Sequence, residues 1–503
     1  MSLSLQSAAR ELFAENLLHE IITPHMWTMN AASVENNEVP FTAITYDTRT
    51  VTPGSLLVCK GNFNPKYLEQ ANKLGMAAYV ATNDYSAYTD APGLIVSDDK
   101  KALSILAQAY YDHPERQLTL IGITGTKGKT TTSYMTKAIC EQAGYKCGLI
   151  GTTGNMIGSR RLPGSLTTPD PIDLQRDLRA MADEGVQVVV MEVSAHAIDM
   201  HRLDGLNFEV GCYTNLSQDH LDYFHTMEQY FLTKKSFFTS GMVRNAALNA
   251  DEETSPRVLE SLTIPHITYG ICVDADLFAR DIEISEDGVA FELKLQGMHP
   301  VRVHLHMTGM FNIYNAMAAA SCAMILGIGA EDIQQGLESM TSVPGRIEML
   351  PTGTPYRVIL DYAHSPDSLK NILKTVREFT RGRLIAVFGC GGDRDRSKRP
   401  IMGEIGGRLS DLCILTSDNP RTEDPMAILA AIEEGIKPTG KPYEVIENRR
   451  AAIRHAMEIA REGDIIVLAG KGHETYQDIQ GVKHPFDEKV VVQELLEEMR
   501  AGH

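Results

Sequence analysis

At 503 residues the chain is long enough for about three domains, each with a core of its own. Hydrophobic residues make up 43% and charged residues 22%, an ordinary globular composition, while the formal net charge of −18 excludes a general nucleic-acid binder, which needs a basic face. The eight cysteines form no Cys-x-x-Cys pair, and no apolar run approaches the roughly 18 residues of a membrane span. The N-terminus carries Glu11 and Glu15 with no basic segment ahead of an apolar one, so a cytoplasmic chain with free thiols, no signal peptide and no membrane insertion is expected.

Residues 1–113 mix short apolar runs (Ser55 to Val58, Ala77 to Ala81, Gly93 to Val96) with turns. They end in a helical pattern, Lys101 to Tyr111, stopped by His113-Pro114. From Leu118 to about Pro344 strand-like runs alternate with helical ones, which predicts a parallel sheet with crossover helices; Leu277 to Met307 alternates polar and apolar residues as a small antiparallel insert would. This region opens with Gly122-Ile-Thr-Gly-Thr-Lys-Gly-Lys-Thr-Thr-Thr132 between an apolar run and a helical pattern. A strand, a glycine-rich turn and a helix start are the context of a phosphate-binding loop. Its glycines let backbone N–H groups and the helix N-terminus face an anion. Lys129 then reaches the outer phosphates of a nucleoside triphosphate and the Thr130 hydroxyl ligates Mg²⁺. The usual spacing places the first glycine at Ile123, so this loop is a variant, flanked by Gly122 and Gly125.

Val343-Pro344-Gly345 reads as a linker, after which Tyr356–Asp361, Leu384–Gly389, Leu412–Thr416 and Asp464–Gly470 are short apolar strands ending in glycine or polar residues, as where ligands sit at the carboxyl edge of an open sheet. The expected architecture is three α/β domains. These are an N-terminal domain (1–113), a central parallel-sheet, ATPase-like domain carrying the phosphate loop (114–345), and a Rossmann-like C-terminal domain (346–503).

Several polar residues follow strands. Glu192 ends the run Val186 to Val193, well placed for Mg²⁺ beside a phosphate loop, with Ser194 and His196 after it. His220 lies in the polar loop Thr214 to Asp222 and, taken alone, reads as an ordinary hydrogen-bonding histidine. Lys234 and Lys235, on a probable helix from Tyr230 to Phe238, would ordinarily be solvated, although a lysine held neutral by burial can react or be modified. Gly391 to Arg399 packs four cations into a loop, Asp418-Asn-Pro-Arg421 reads as an Asn-Pro turn whose Arg421 can offer a planar fork to a carboxylate, and Gly470 to Glu474 is another glycine-rich strand exit.

Taken together these stretches resemble the Mur ligases, ATP-dependent amide-forming enzymes of peptidoglycan precursor synthesis, from about Tyr46 to the C-terminus. Gly125-Thr126-Lys127-Gly128-Lys129-Thr130-Thr131 resembles their shortened phosphate loop, and Asn312 and Asn315 their adenine-side motif. Arg346 and Asp361, in Pro344-Gly-Arg346 and Asp361-Tyr-Ala-His364, match positions that meet the nucleotide from the last domain. The similarity is nearest to the branch that adds the third peptide residue to UDP-N-acetylmuramoyl-L-alanyl-D-glutamate. Tyr46, Thr48 and Arg49 fall on its uridine-sugar contact, and Thr167, Thr168, Ser194 and Arg202 on its sugar-dipeptide positions. Lys234 matches a lysine the family N-carboxylates, which implies two Mg²⁺ ions, one served by Thr130 and Glu192 and one by His220 and modified Lys234. Met200 stands where a Gln is often found, Ala195 replaces a Ser, and Asn62-Phe-Asn64 leads a shortened loop.

Asp418, Asn419, Pro420 and Arg421 resemble the meso-diaminopimelate form of the amino-acid motif, with Arg394 and Arg421 as receivers of the far carboxylate and Gly470 and Glu474 holding the amino group beside it. The resemblance implies a monomer that uses ATP to activate the D-glutamate side-chain carboxylate as an acyl phosphate, with catalysis by Lys129, Glu192, His220 and Lys234. L-Lysine as the added residue is the alternative. A folate polyglutamylating ligase is more distant, since it has no use for the Asp418–Arg421 pocket. A guanine-reading Asn-Lys-x-Asp is absent from the sequence, which argues against a GTPase.

Overall fold

Uninterrupted apolar runs become buried parallel strands. Ser55–Val58, Ala78–Ala81 and Gly93–Val96 are buried at every position, as parallel strands covered on both faces must be. They pair in parallel with one another and with Ala43–Thr45. Leu18–Thr23 joins Gly93–Val96 antiparallel and carries Met26–Thr28 at the sheet edge. Helices Leu5–Ala14 and Asp99–Tyr110 bury apolar residues on this sheet. The second helix starts ahead of the expected Lys101 because Asp98 caps it, its Oδ1 accepting from the N–H groups of Lys100 and Lys101. The computed structural model describes residues 3–162, 164, 166–285, 288–295 and 299–501.

By their contacts these residues group into two units, one of Met1–Arg280, Leu293–Val301 and Tyr314–Leu337, the other of Asp281–Glu292, Arg302–Ile313 and Glu338–His503. In the first unit, Thr119–Thr124 runs between Val188–Glu192 and Phe208–Tyr213. Cys147–Ile150 lies beyond the former, and Val243–Asn249 and His266–Gly270 lie beyond the latter, all parallel. The phosphate loop and Glu192 therefore leave the carboxyl ends of neighbouring strands, with Glu192 in register with Ile123. The alternating segment contains strands Leu277–Ser285, Gly288–Leu295 and Val301–Leu305; residues 286–287 and 296–298 lie outside the described residues. It begins as a parallel continuation of the central sheet, Tyr269 opposite Leu277.

The helix Met227–Thr239 packs directly over the loop strand. A Cβ on Gly122 would come within 2.6 Å of the Phe237 ring and 2.9 Å of Phe208, so glycine at this position lets the helix approach. Tyr230, Lys234 and Phe237 share one face at helical spacing, which carries Lys234 into the core with the two rings.

In the second unit Arg357–Asp361, Ile465–Ala469, Leu384–Phe388, Leu412–Leu415 and Tyr443–Val445 form a parallel sheet in that order, with Glu348–Leu350 antiparallel at one edge. Under its carboxyl edge lies an ion pair with both side chains fully buried, Arg449 Nε to Glu488 Oε1 at 2.7 Å. Arg449 also donates to the carbonyls of Ala469 (2.9 Å) and Ser417 (3.5 Å), just before Gly470 and Asp418. Removing one partner of a buried pair strands the other charge, which costs about 3–5 kcal/mol. Glu488→Ala is therefore expected to lower the unfolding midpoint of the second unit in a urea titration. A stability equal to wild type would show that the pair holds nothing in place.

Candidate active site

The phosphate loop is shaped by glycines that no other residue could replace. Gly125 (φ +148°) and Gly128 (φ +84°) are left-handed, and a Cβ on either would strike Thr214 Oγ1 or Asn315 Oδ1. Gly128 caps the helix Lys129–Gln142, whose first N–H groups face the loop. The loop Thr214–Asp222 braces it. Asn215 accepts from Lys127 N–H (2.9 Å) and donates to Lys127 O (3.1 Å), Thr214 donates to Lys127 O (2.7 Å), and Thr126 Oγ1 accepts from Ser217 N–H (3.0 Å). Lys129 Nζ donates to the carbonyls of Gly125 and Thr126, both at 2.9 Å, and Lys234 Nζ donates to the same Gly125 oxygen at 2.9 Å.

Glu192 is 1% exposed. Its Oε2 accepts from Thr130 Oγ1 (3.1 Å) and Thr152 Oγ1 (2.9 Å), its Oε1 from Thr152 N–H (2.9 Å). A carboxylate and a hydroxyl side by side at a phosphate loop are the hard oxygen donors that Mg²⁺ takes together with substrate phosphates, so these residues fit that ion. His220 has a left-handed backbone (φ 55°) at the start of a short helix, and its ring meets His196 edge to face at 4.8 Å. Partial desolvation, against an opposing pull from Asp219 and with smaller help from Lys129 and Lys234, lowers its pKa, which favours the neutral imidazole although nearly half of the side chain is exposed. Lys234 is 1% exposed, and burial first and Lys129 second push its pKa far down. Among the described residues no group of three or more His, Cys, Asp or Glu could hold a metal ion. The oxygen and nitrogen atoms of Thr130, Glu192 and His220 have the chemistry of hard-cation donors, whereas the Lys234 amine as it stands does not.

From Glu192 a chain of hydrogen bonds and one ion pair runs to the N-terminal sheet. Thr152 Oγ1 meets Thr167 Oγ1 at 3.1 Å. Thr168 Oγ1 donates to Glu192 O (2.7 Å) and accepts from Ser194 N–H (3.1 Å). Arg202 donates to Thr168 O (2.9 Å) and pairs with Asp170 at 3.0 Å, and Tyr46 OH donates to the other Asp170 oxygen at 3.0 Å. Lys60 lies over the Tyr46 ring, 3.9 Å from Asp170. Burial first, then Asp170, pushes the Tyr46 phenol up to about 12, so it stays a donor. Sequence reasoning missed Asp170, Thr152 and Lys60; for Asp170 the only signal was its place two residues after Thr168. Thr48 and Arg49 form a short 3₁₀ turn, with the Arg49 guanidinium exposed and paired to Asp47.

The second unit gathers the other predicted residues. Arg346 stacks on the Tyr362 ring at 5.2 Å, Asp361 accepts from Ile347 N–H (2.9 Å), and burial raises the Asp361 pKa against the nearby Arg346. Asn312 donates to Thr308 O in the first turn of its helix. Arg394 and Arg421 flank Gly391, whose Cβ would lie 2.9 Å from Arg421 Nη1 and 3.9 Å from Arg394 Cγ. Arg421 has a left-handed backbone (φ 51°) and donates to Gly392 O at 2.7 Å. In the same unit Glu474 Oε2 accepts from Asn419 Nδ2 (2.8 Å), and Gly470 lets Asp418 approach, since a Cβ there would be 3.0 Å from Asp418 Oδ2. Pro420 turns the chain between Asn419 and Arg421. Arg421 Nε also lies 4.0 Å from Asp478 Oδ2, while Asp418 and Glu474 face Lys471.

Residues 123–323 match the Mur ligase middle domain and residues 345–472 match the Mur ligase glutamate ligase domain. The UDP-N-acetylmuramoyl-L-alanyl-D-glutamate–2,6-diaminopimelate ligase of Caldanaerobacter subterraneus subsp. tengcongensis is 45% identical over 467 residues, covering 92% of this chain and 96% of the relative. The ligase of that name from Clostridium botulinum is 44% identical over 474 residues, 93% of this chain and 97% of its own. A solved structure of a ligase with the same name, 31% identical, superposes with a TM-score of 0.68 over 99% of this chain and 100% of its own. With the phosphate-loop segment and the C-terminal segment both matched, and more than nine-tenths of the length aligned to these relatives, this chain belongs to the Mur ligase family.

Proposed function

We propose that this Mur ligase couples ATP hydrolysis to the addition of meso-diaminopimelate onto the D-glutamate side-chain carboxylate of UDP-N-acetylmuramoyl-L-alanyl-D-glutamate, in the cytoplasm, during peptidoglycan precursor synthesis. Residues 1–113 would take the UDP-sugar, 114–345 the ATP and 346–503 the amino acid. The observation that carries the substrate choice is the placement of Arg394 and Arg421 around Gly391, together with the Asp418 and Glu474 carboxylates of the same unit. The far end of diaminopimelate has one ammonium and one carboxylate, while lysine has the ammonium alone. Arg421 Nε has the distant Asp478 Oδ2 beside it at 4.0 Å, and lysine would bring no second carboxylate to the guanidinium pair, a loss of a few kcal/mol. The names of the relatives at 45% and 44% identity support the same choice.

The chemistry must activate a carboxylate, because an amine cannot expel oxide. The D-glutamate oxygen attacks the γ-phosphorus of ATP, the bridging P–O bond breaks, and ADP leaves. The diaminopimelate amine then attacks the acyl carbon, the C–O bond to phosphate breaks, and a proton is lost as the amide forms. Lys129 would leave the Gly125 and Thr126 carbonyls to meet the transferring phosphoryl group, where its charge acts by position and electrostatics. Thr130 and Glu192 would hold one Mg²⁺, and His220 with N-carboxylated Lys234 a second; bound magnesium supplies charge neutralisation at the triphosphate. Lys234 suits that modification because burial keeps its amine uncharged, leaving a lone pair to bond the carbon of CO₂ with loss of a proton. Thr168, Ser194, Arg202 and Tyr46 would orient the sugar-dipeptide along the polar chain that starts at Glu192.

Phosphate release is expected only when ATP, the UDP-sugar dipeptide and diaminopimelate are all present, and ¹⁸O placed in the D-glutamate carboxylate should appear in the phosphate. Equal turnover with L-lysine would overturn the substrate choice, and released phosphate free of label would overturn the acyl phosphate. Arg421→Ala should reduce kcat/KM for diaminopimelate by about 10²–10³-fold, the loss of one buried charge-assisted contact, with ATP affinity unchanged in a binding titration. In ¹³C-bicarbonate the wild type should show a carbamate carbon resonance that is absent from Lys234→Arg. The signal should fade as pH is lowered, since protonation removes the lone pair that carries CO₂; a spectrum identical in the variant would remove Lys234 from this role.

A further inference from the structure

We propose that Lys471, a residue outside the predicted set, is a positioning residue that orients and half-neutralises the acceptor for the far ammonium of the incoming amino acid. The proposal rests on the amino-acid site described above and concerns how that site is held. Lys471 lies between Gly470 (φ +121°) and Gly472 (φ +54°), and this pair of left-handed glycines turns its side chain inward under the strand end. It is 0% exposed, among the largest fully buried side chains of the described residues.

Its ammonium donates to Asn419 Oδ1 (3.1 Å) and Glu474 Oε2 (3.2 Å), lies 3.7 Å from Asp418 Oδ1, and sits 5.7 Å from the centre of the Tyr476 ring. Asn419 Oδ1 also accepts from Asp478 N–H at 2.9 Å. With two donors on its oxygen, the Asn419 amide has only one orientation, which turns Nδ2 to Glu474 Oε2 at 2.8 Å. Lys471 thus sets the direction of the amide and, through it and directly, the direction of the Glu474 carboxylate. Asp418 Oδ1 has no hydrogen-bond partner, so the Lys471 charge is its nearest compensation.

The charge count gives the second half of the role. Asp418 and Glu474 contribute two negative charges and Lys471 one positive charge, leaving one net negative charge. An arriving ammonium matches that remainder. Without Lys471 the two acids would repel one another, the Asn419 amide could turn over, and the ammonium would meet a disordered, overcharged acceptor. A fully buried side chain with all its contacts inside the protein does not touch substrate, so its effect is on binding of one substrate and not on the bond-making step.

The test uses the full chain and whichever amino acid the wild type accepts, so that a wrong choice of diaminopimelate is detected in the wild-type assay and leaves the Lys471 result intact. Lys471→Met should raise KM for the amino acid about 30-fold or more, with kcat and the KM values for ATP and UDP-sugar dipeptide within about 2-fold. Combined with Glu474→Gln it should add little to the effect of that single change, because both act on one acceptor. Should turnover of Lys471→Met be too low to measure, thermal-shift titrations with the amino acid and with ATP replace it, and the expected loss is confined to the amino acid. Should the variant fail to fold, Asn419→Ser removes only the amide and is expected to raise the amino-acid KM alone. An unchanged amino-acid KM, a parallel rise in all three KM values, or fully additive effects with Glu474→Gln would each overturn the proposal.

Discussion

Two lysines share one carbonyl oxygen at the heart of the first unit. Lys129 and Lys234 both donate to Gly125 O, and Lys234 does so from a site closed to solvent. Two ammonium groups so placed repel, and a buried charge without an anion is costly. The arrangement persists because the Lys234 helix is pinned by Phe237 against Gly122 and by Tyr230 against Thr126. The tension has two physical outlets: Lys234 gives up its proton, or anions arrive at the loop. Both are what an enzyme that grips a triphosphate can use, and the packing of one aromatic helix on one glycine strand makes both available.

The same unit shows how a binding site is extended without a rigid rod. Glu192 is the meeting point of Thr130 on the phosphate-loop helix and Thr152 on the neighbouring strand exit, and the Thr168 hydroxyl bonds its carbonyl. From Thr168 the path continues through Arg202 and Asp170 to Tyr46 in the N-terminal sheet. Each link is short and at least partly buried, so Glu192 beside the glycine loop and Tyr46 in the N-terminal sheet are held by one continuous polar network.

The second unit solves a different problem, that of fixing where opposite charges meet near one sheet edge. Arg394 and Arg421 reach the Gly391 turn, while Asp418 and Glu474 gather around Lys471. The Arg449–Glu488 pair ties down the two strand ends that lead to Asp418 and Gly470. A site that discriminates by charge needs such fixed supports, because a mobile guanidinium would collapse onto the nearest carboxylate.

Much of this was legible in the chain. The phosphate loop, the strand runs, Glu192 at a strand exit and the Asp418–Arg421 motif are local patterns, and local patterns survive in a linear reading because backbone preferences and motif spacing act over few residues. Even the burial of Lys234 was encoded in its helical spacing with Tyr230 and Phe237, although the sequence alone left it a surface lysine. Asp170, Thr152 and Lys471 were not legible. Each matters through partners far away along the chain, Tyr46 for Asp170 and Asn419 for Lys471, and only folding brings those residues within hydrogen-bond reach. The sequence by itself determined the family's chemistry and the elements that carry it. Which carboxylates are buried, which lysine has its pKa driven down and which amide points where were decided by tertiary structure, because desolvation and charge proximity exist only once the chain has closed around them.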